Sequence, residues 1–182
     1  MNKIAIFMAN GCEEIEGLTV VDNLRRVGLD IVMVSITGSK TVVGSHNITF
    51  EADEIFEDVN FDEFNGIVLP GGMPGTLHLG AHAGVTDLVK SFAKDGKLVS
   101  AICAAPSVLG ECGILHEKKA TSYPGFEEKL IGAISSTDDV VVDGNIITSR
   151  GMGTAIDFSL AIIAYYMDEA VADDLAKKII YR

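Results

Sequence analysis

Residues 97–110 read KLVSAICAAPSVLG, and the fold follows from how this stretch is read. Leu98 to Ile102 is a short apolar run of the kind that forms a buried strand. Cys103, two alanines and Pro106 follow at once, with helix-like spacing through Leu109. Proline suits the first turn of a helix, where its missing N–H is not needed. The chain is therefore expected to turn from strand to helix at Cys103. That is the geometry of a nucleophile elbow, whose usual form G-x-S-x-G needs small residues on both sides of the nucleophile. Ala101-x-Cys103-x-Ala105 meets the steric demand with alanine. A helix N-terminus beside the sulfur is expected to lower the thiol pKa and favour a thiolate. The same residues also describe a buried free cysteine, the commoner state of cysteine in cytosolic cores.

On either side, short apolar runs alternate with helical periodicity. Ile4 to Met8 reads as a strand closed by Asn10-Gly11, and a helix is expected from about Glu13 to Val27 with Gly28 as its C-terminal cap. Its apolar stripe is Val20, Leu24 and Val27; four residues back from Val20 lies Glu16, on the buried side. Glu13 falls in the first turn, where solvent is expected to reach it. Ile31 to Ile36 is a second strand, and Thr41–Val43 with Ile48–Phe50 flanks Gly44-Ser45 as a hairpin. Ile67–Leu69 is a buried strand that stops at Pro70-Gly71-Gly72. Val85, Leu88, Val89 and Phe92 recur at helical spacing, ending near Asp95-Gly96. Beyond the elbow come a short strand near Ala120, a helical piece at Phe126–Ile131, and a hairpin of Val140–Val142 and Ile146–Thr148 around Asp143-Gly144. A helix from Thr154 to about Met167 is apolar nearly all round, and Asp168 caps a last helix.

This alternation predicts an α/β fold with a mostly parallel sheet covered on both faces, as one domain over residues 1–182. Ligands of such sheets bind outside the carboxyl ends of the strands. Asn10–Cys12, Pro70–Gly72 and Ile102–Ala104 are expected to meet there, with Glu16 entering from the first helix.

A formal net charge of −12 argues against nucleic acid and anionic membranes as partners. The apolar runs are too short to cross a bilayer, and residues 1–10 lack a signal-peptide pattern. Cysteines at positions 12, 103 and 112 make no disulfide framework, which points to a reducing cytoplasm.

Four stretches in register, GCEEIEG (11–17), VLPGG (68–72), AICAAP (101–106) and TSRGMGT (148–154), resemble the ThiJ/PfpI superfamily. The similarity lies in the branch of the parkinsonism-associated protein deglycase and its bacterial relatives, and runs from residue 3 to about 167. It implies a flavodoxin-like three-layer sandwich, a homodimer, a reactive Cys103 with Glu16 as its carboxylate partner, and oxyanion-type donors on the backbone around Gly72 and Ala104. The activities it implies are glyoxalase and deglycase action on methylglyoxal and its adducts, chaperone-like behaviour and oxidative-stress sensing. Two positions depart from the family pattern. Ala104 stands where protease members carry histidine, and Tyr123 where the deglycase branch often has one. Proteolysis is not expected, and the general base falls to Glu16 or a water.

Glu16 on an apolar stripe either snorkels to a helix end or faces Cys103, where burial raises its pKa and keeps it protonated as a donor to a thiolate. Gly71-Gly72 is a turn, or a place where backbone N–H groups approach a substrate oxygen. No Gly-Lys-Ser/Thr follows it, so it is not a phosphate loop. Cys12 also begins a helix and rivals Cys103 as the reactive thiol, whereas Cys112 reads as inert core. His78 and His82 have metal-like spacing, but Gly80 weakens a helix there and no third ligand is evident, so no metal and no cofactor are expected. Tyr123 and His46 are candidates for the site periphery. His46 is a solvated loop residue, or borders the site across the dimer that the resemblance implies.

Two functions remain open. One is a cofactor-independent enzyme acting on a small aldehyde or a glycated protein. The other is a redox-sensing or chaperone-like protein working through oxidation of Cys103.

Overall fold

The structure is a computed structural model and describes residues 2–182. In chain order its strands are β1 (Lys3–Met8), β2 (Asp30–Ser35), β3 (Thr41–Val43), β4 (Thr49–Glu51), β5 (Glu54–Ile55), β6 (Gly66–Leu69), β7 (Leu98–Ile102), β8 (Lys119–Ala120), β9 (Ile134–Ser135), β10 (Val140–Asp143) and β11 (Ile146–Ser149). Its α-helices are α1 (Glu14–Arg26), α2 (Gly75–Ala81), α3 (Ala83–Lys94), α4 (Pro106–Glu111), α5 (Ala155–Tyr166) and α6 (Glu169–Lys178). The main sheet runs β10-β11-β7-β6-β1-β2-β5, parallel throughout except for β10 against β11.

Side chains alternate across a strand, so a strand buried on both faces feeds two cores. In β1, Ile4, Ile6 and Met8 join Val20 and Leu24 of α1 and Phe158 and Ile162 of α5. Ala5 and Phe7 join Val85, Val89 and Phe92 of α3 on the opposite face. Burying a side chain of this size contributes about 1.5–3 kcal/mol. The result is a three-layer sandwich: α1, α5 and α6 on one face, α3 and α4 on the other. The apolar α5 packs against α1, α6 and β11, which accounts for its lack of a polar stripe.

The helix expected over 13–27 is α1, capped by the Glu13 carboxylate accepting from the Glu16 N–H at 2.8 Å. It ends in a Schellman arrangement, with Gly28 at φ +79° and the Leu29 N–H bonded to the Leu24 carbonyl at 3.0 Å. Both expected hairpins form. One helix was not expected. Gly80 argued against α2, yet Leu79 is fully buried, and a Cβ on Gly80 would make ordinary van der Waals contact with Val108 of α4, at 3.6 Å. Burial of Leu79, worth about 1.5–3 kcal/mol, outweighs the roughly 1 kcal/mol that glycine costs a helix. No helix among the described residues is long and apolar enough to cross a membrane.

Candidate active site

The sheet ends its central strands on three loops, and hydrogen bonds stitch those loops together. Gly11 to Glu13 follows β1, Pro70 to Gly75 follows β6, and Cys103 follows β7. The Glu13 N–H bonds the Gly71 carbonyl at 2.9 Å, and the Gly75 N–H bonds the Gly11 carbonyl at 3.0 Å. Two glycines permit this closeness. A Cβ on Gly71 would come within 2.6 Å of Cys103 Cβ and 2.7 Å of Glu16 Oε2. Gly72 sits at φ +88°, and a Cβ there would collide with the Glu13 nitrogen.

Cys103 stands at the strand end with φ +66°, a left-handed conformation that is strained for a residue with a side chain. Its neighbours hold it there. The Cys103 N–H bonds the Ser149 carbonyl at 2.9 Å, and its carbonyl accepts from the Tyr123 N–H at 2.8 Å. The elbow expected from the sequence is thus present, but α4 begins only at Pro106 and is six residues long.

Glu16 is 1% exposed and reaches from the first turn of α1 to the strand tips. Its Oε2 accepts from the Gly71 N–H at 2.9 Å, and Cys103 lies beside it, since a Cβ on Gly71 would meet both residues. Oε1 is buried with no hydrogen-bond partner among the described residues. Burial pushes the Glu16 carboxyl up to about 7, helped by the Glu13 charge and opposed by the Cys103 and Gly71 donors. The Cys103 thiol moves in the direction opposite to expectation. Burial, the Glu16 charge and the bond to Glu16 push it up to about 12, and the Ala104 and Gly72 N–H groups pull it back only in part. A helix end three residues away does not decide the matter; the shared, desolvated proton does.

The other candidates separate cleanly. Cys12 is fully buried, and burial with the nearby Glu14 pushes its thiol up to about 12, so it does not rival the half-buried Cys103. Cys112 is half-buried rather than core, with its sulfur 3.9 Å from the Thr86 carbonyl. His78 Nδ1 lies 2.9 Å from the Asn10 carbonyl, while His82 Nδ1 accepts from the Val85 N–H and caps α3. These two histidines do not converge. Tyr123 is exposed beside Cys103, its ring next to Gly151. His46, on the β3–β4 turn, bonds to Glu14 through its N–H at 2.8 Å and has Nδ1 3.1 Å from Glu14 Oε2.

Sequence reasoning placed Glu13 in solvent and passed over Glu14. Both are buried, at 9% and 3% exposure. Glu14 anchors the β3–β4 turn, accepting from the His46 and Ile48 N–H groups and the Ser45 hydroxyl. The signal lay in Gly44, where any Cβ would collide with the Glu14 carboxylate. Among the described residues Glu13, Glu14 and His46 form the one group of three donors arranged to hold a metal ion.

Comparison with known proteins agrees with the fold. The profile of the DJ-1/PfpI family matches residues 2–165. The chain is 38% identical over 180 residues to protein dj-1beta of Drosophila melanogaster, covering 97% of this chain and 96% of that one. It is 34% identical over 154 residues to a protein named a deglycase from Pyrococcus abyssi, covering 83% and 91% of the two chains. Among solved structures, oxidized Toxoplasma gondii DJ-1 superposes with a TM-score of 0.95 at 32% identity, over 100% of this chain and 99% of that one.

Proposed function

The chain belongs to the DJ-1/PfpI family, and on that premise we propose that it is a cysteine-dependent, cofactor-independent enzyme acting on small reactive aldehydes or their protein adducts. One observation carries the reading: a strained Cys103 packed beside the buried Glu16 carboxyl group, with Gly71 too close to both to carry a side chain. The Pyrococcus relative named a deglycase supports the substrate class.

The chemistry follows from the shared proton. Above about pH 7 Glu16 is ionised and accepts the thiol proton as sulfur attacks the aldehyde carbon. The carbonyl oxygen becomes an oxyanion, which Gly72 and Ala104 are placed to stabilise. Glu16 then returns the proton to that oxygen, giving a hemithioacetal. With a 2-oxoaldehyde, Glu16 next removes the hydrogen on the former aldehyde carbon, and the electron pair passes to the adjacent carbonyl as an enediol. Reprotonation of the neighbouring carbon yields a 2-hydroxy thioester. Water cleaves the C–S bond, the thiol regains its proton and a 2-hydroxy acid leaves. One carbon is oxidised and its neighbour reduced, so no external oxidant enters.

Methylglyoxal is the test substrate, with lactate measured by NMR. Cys103→Ser should lose turnover by up to roughly 10⁶-fold, as nucleophile removal does elsewhere. Undiminished turnover would remove Cys103 from the mechanism. A second reading rests on the same N–H donors, which suit a sulfinate on Cys103 as well as an oxyanion. A protein purified free of trace enzymes that takes up peroxide stoichiometrically and turns over nothing would be a redox sensor or chaperone-like protein.

The homodimer and the cytoplasmic location belong to the same proposal. The outer face of α1 exposes Ile15 beside Ile48, next to a groove of about 480 Å³ lined by Leu18, Ile156 and Ile179. Asp22 and Arg26 border that groove and pair with each other at 2.6 Å, so the face presents no unbalanced charge to an identical surface.

A further inference from the structure

We propose that Glu13, Glu14 and His46 bind a divalent transition-metal ion, with zinc the best match, between the first turn of α1 and the β3–β4 turn. The site is separate from the Cys103 chemistry and does not depend on it. Three observations support it.

The first is the donor set. One imidazole nitrogen with two carboxylates suits zinc, whereas calcium and magnesium prefer shells of oxygen donors alone. The second is spacing. His46 Nδ1 lies 3.1 Å from Glu14 Oε2 and 3.8 Å from Glu13 Oε1, and the three donor atoms fall within 4.8 Å of one another. Bonds of 2.0–2.2 Å in tetrahedral array place donors about 3.3 Å apart, so an ion needs only small rotations of the two longer contacts. A water completes the fourth position.

The third is a carboxylate oxygen that makes no hydrogen bond among the described residues. Glu13 is 9% exposed, and its Oε2 is engaged by the Glu16 N–H. Its Oε1 faces the cluster, with His46 Nδ1 beyond hydrogen-bond length at 3.8 Å. Glu14 has a similar division of labour: Oε1 takes the His46 N–H, while Oε2 faces the imidazole and the Ser45 hydroxyl. Each carboxylate is thus oriented by a backbone donor on one oxygen and presents the other, the outer-shell arrangement that holds metal ligands in place. The His46 ring is exposed in the single chain and borders the face proposed for the dimer, where an ion can reach it from the edge. Binding displaces the proton from Nδ1 and involves no redox change.

The ion would fasten the β3–β4 turn to α1 and, through the Glu13 N–H bond to Gly71, brace the loop that carries Gly72. Thiols also bind zinc, so the test uses the full chain carrying Cys103→Ser. Zinc chloride titrated calorimetrically should bind one ion per chain and raise Tm by several degrees. His46→Ala, on an exposed turn, and Glu13→Gln, which keeps the cap acceptor, should each weaken binding tenfold or more and abolish the rise in Tm. Cobalt in place of zinc should show no thiolate charge-transfer band. Absence of stoichiometric binding, affinity unchanged by His46→Ala, or a cobalt–thiolate band would each overturn the site.

Discussion

Glu16→Gln should stabilise the protein at alkaline pH and leave it unchanged in acid. Burial lifts the Glu16 carboxyl from 4.5 to about 7. A native carboxyl with a raised pKa keeps its proton where the unfolded chain has lost it. Stability is therefore whole below about pH 4.5, declines as pH rises towards 7, and stays low above. At 1.36 kcal/mol per pH unit, the interval corresponds to about 3 kcal/mol. The amide that Glu16→Gln introduces can accept the Gly71 N–H through its oxygen and carries no charge to desolvate. The variant should thus match wild type near pH 4.5 and exceed it by about 3 kcal/mol at pH 8, or about 6–12 °C in Tm for a chain of this size. Urea denaturation of both proteins at pH 4.5, 6, 7 and 8 measures the difference, and titration of the other carboxylates cancels between them. A difference that stays constant across that range would mean that Glu16 is not desolvated in the native state, and the proton-sharing mechanism would lose its basis.

Glu16→Gln should also lower the Cys103 pKa, since the carboxylate charge and the acceptor that hold the thiol proton both vanish. The iodoacetamide rate profile should move to lower pH, and an unmoved profile would show that the two side chains do not touch. Gly71→Ala should destabilise by about 1–3 kcal/mol and remove turnover, because its Cβ enters the space of Cys103 Cβ and Glu16 Oε2; turnover and stability at wild-type levels would contradict the tight loop packing. Sedimentation at micromolar concentration should give the mass of two chains, and Ile15→Glu should give one; a wild-type mass near one chain would refute the proposed dimer.

The fold was legible because the signals for it are local. Two-sided burial makes β1, β6 and β7 continuous apolar runs, Gly28 stops α1, and Asp143-Gly144 turns β10 into β11. The α2 helix was hidden for the complementary reason: its glycines disfavour a helix locally, and the complete burial of Leu79 that favours it is a tertiary effect. Glu13 and Glu14 were hidden in another way. Acidic residues at a helix start ordinarily face water and the macrodipole. Nothing in the run Glu13-Glu14 tells that a turn some 30 residues on donates its N–H groups to one of them.

At the site, sequence spacing was enough for position and not for charge. Four residues back from Val20 places Glu16 inside, and the elbow frame places Cys103 at the strand tip; the structure sets both against Gly71. The sign of the thiol shift depends on terms that spacing does not carry. A helix end lowers a thiol pKa when the sulfur sits in its field and in water. Here α4 starts three residues on, and its first residue is a proline without an N–H to offer. The field that acts on the sulfur instead comes from a carboxylate sealed in the same pocket. A thiol held protonated by its own general base gains nucleophilicity only as its proton leaves, which makes the attack on the aldehyde and the transfer to Glu16 one event. The proposed activity should therefore rise with ionisation of Glu16 near pH 7 rather than with a free thiolate. A kcat/KM profile rising with an apparent pKa near 7 in wild type and flat in Glu16→Gln would bear this out, and a rise governed by the alkylation pKa of Cys103 would refute it.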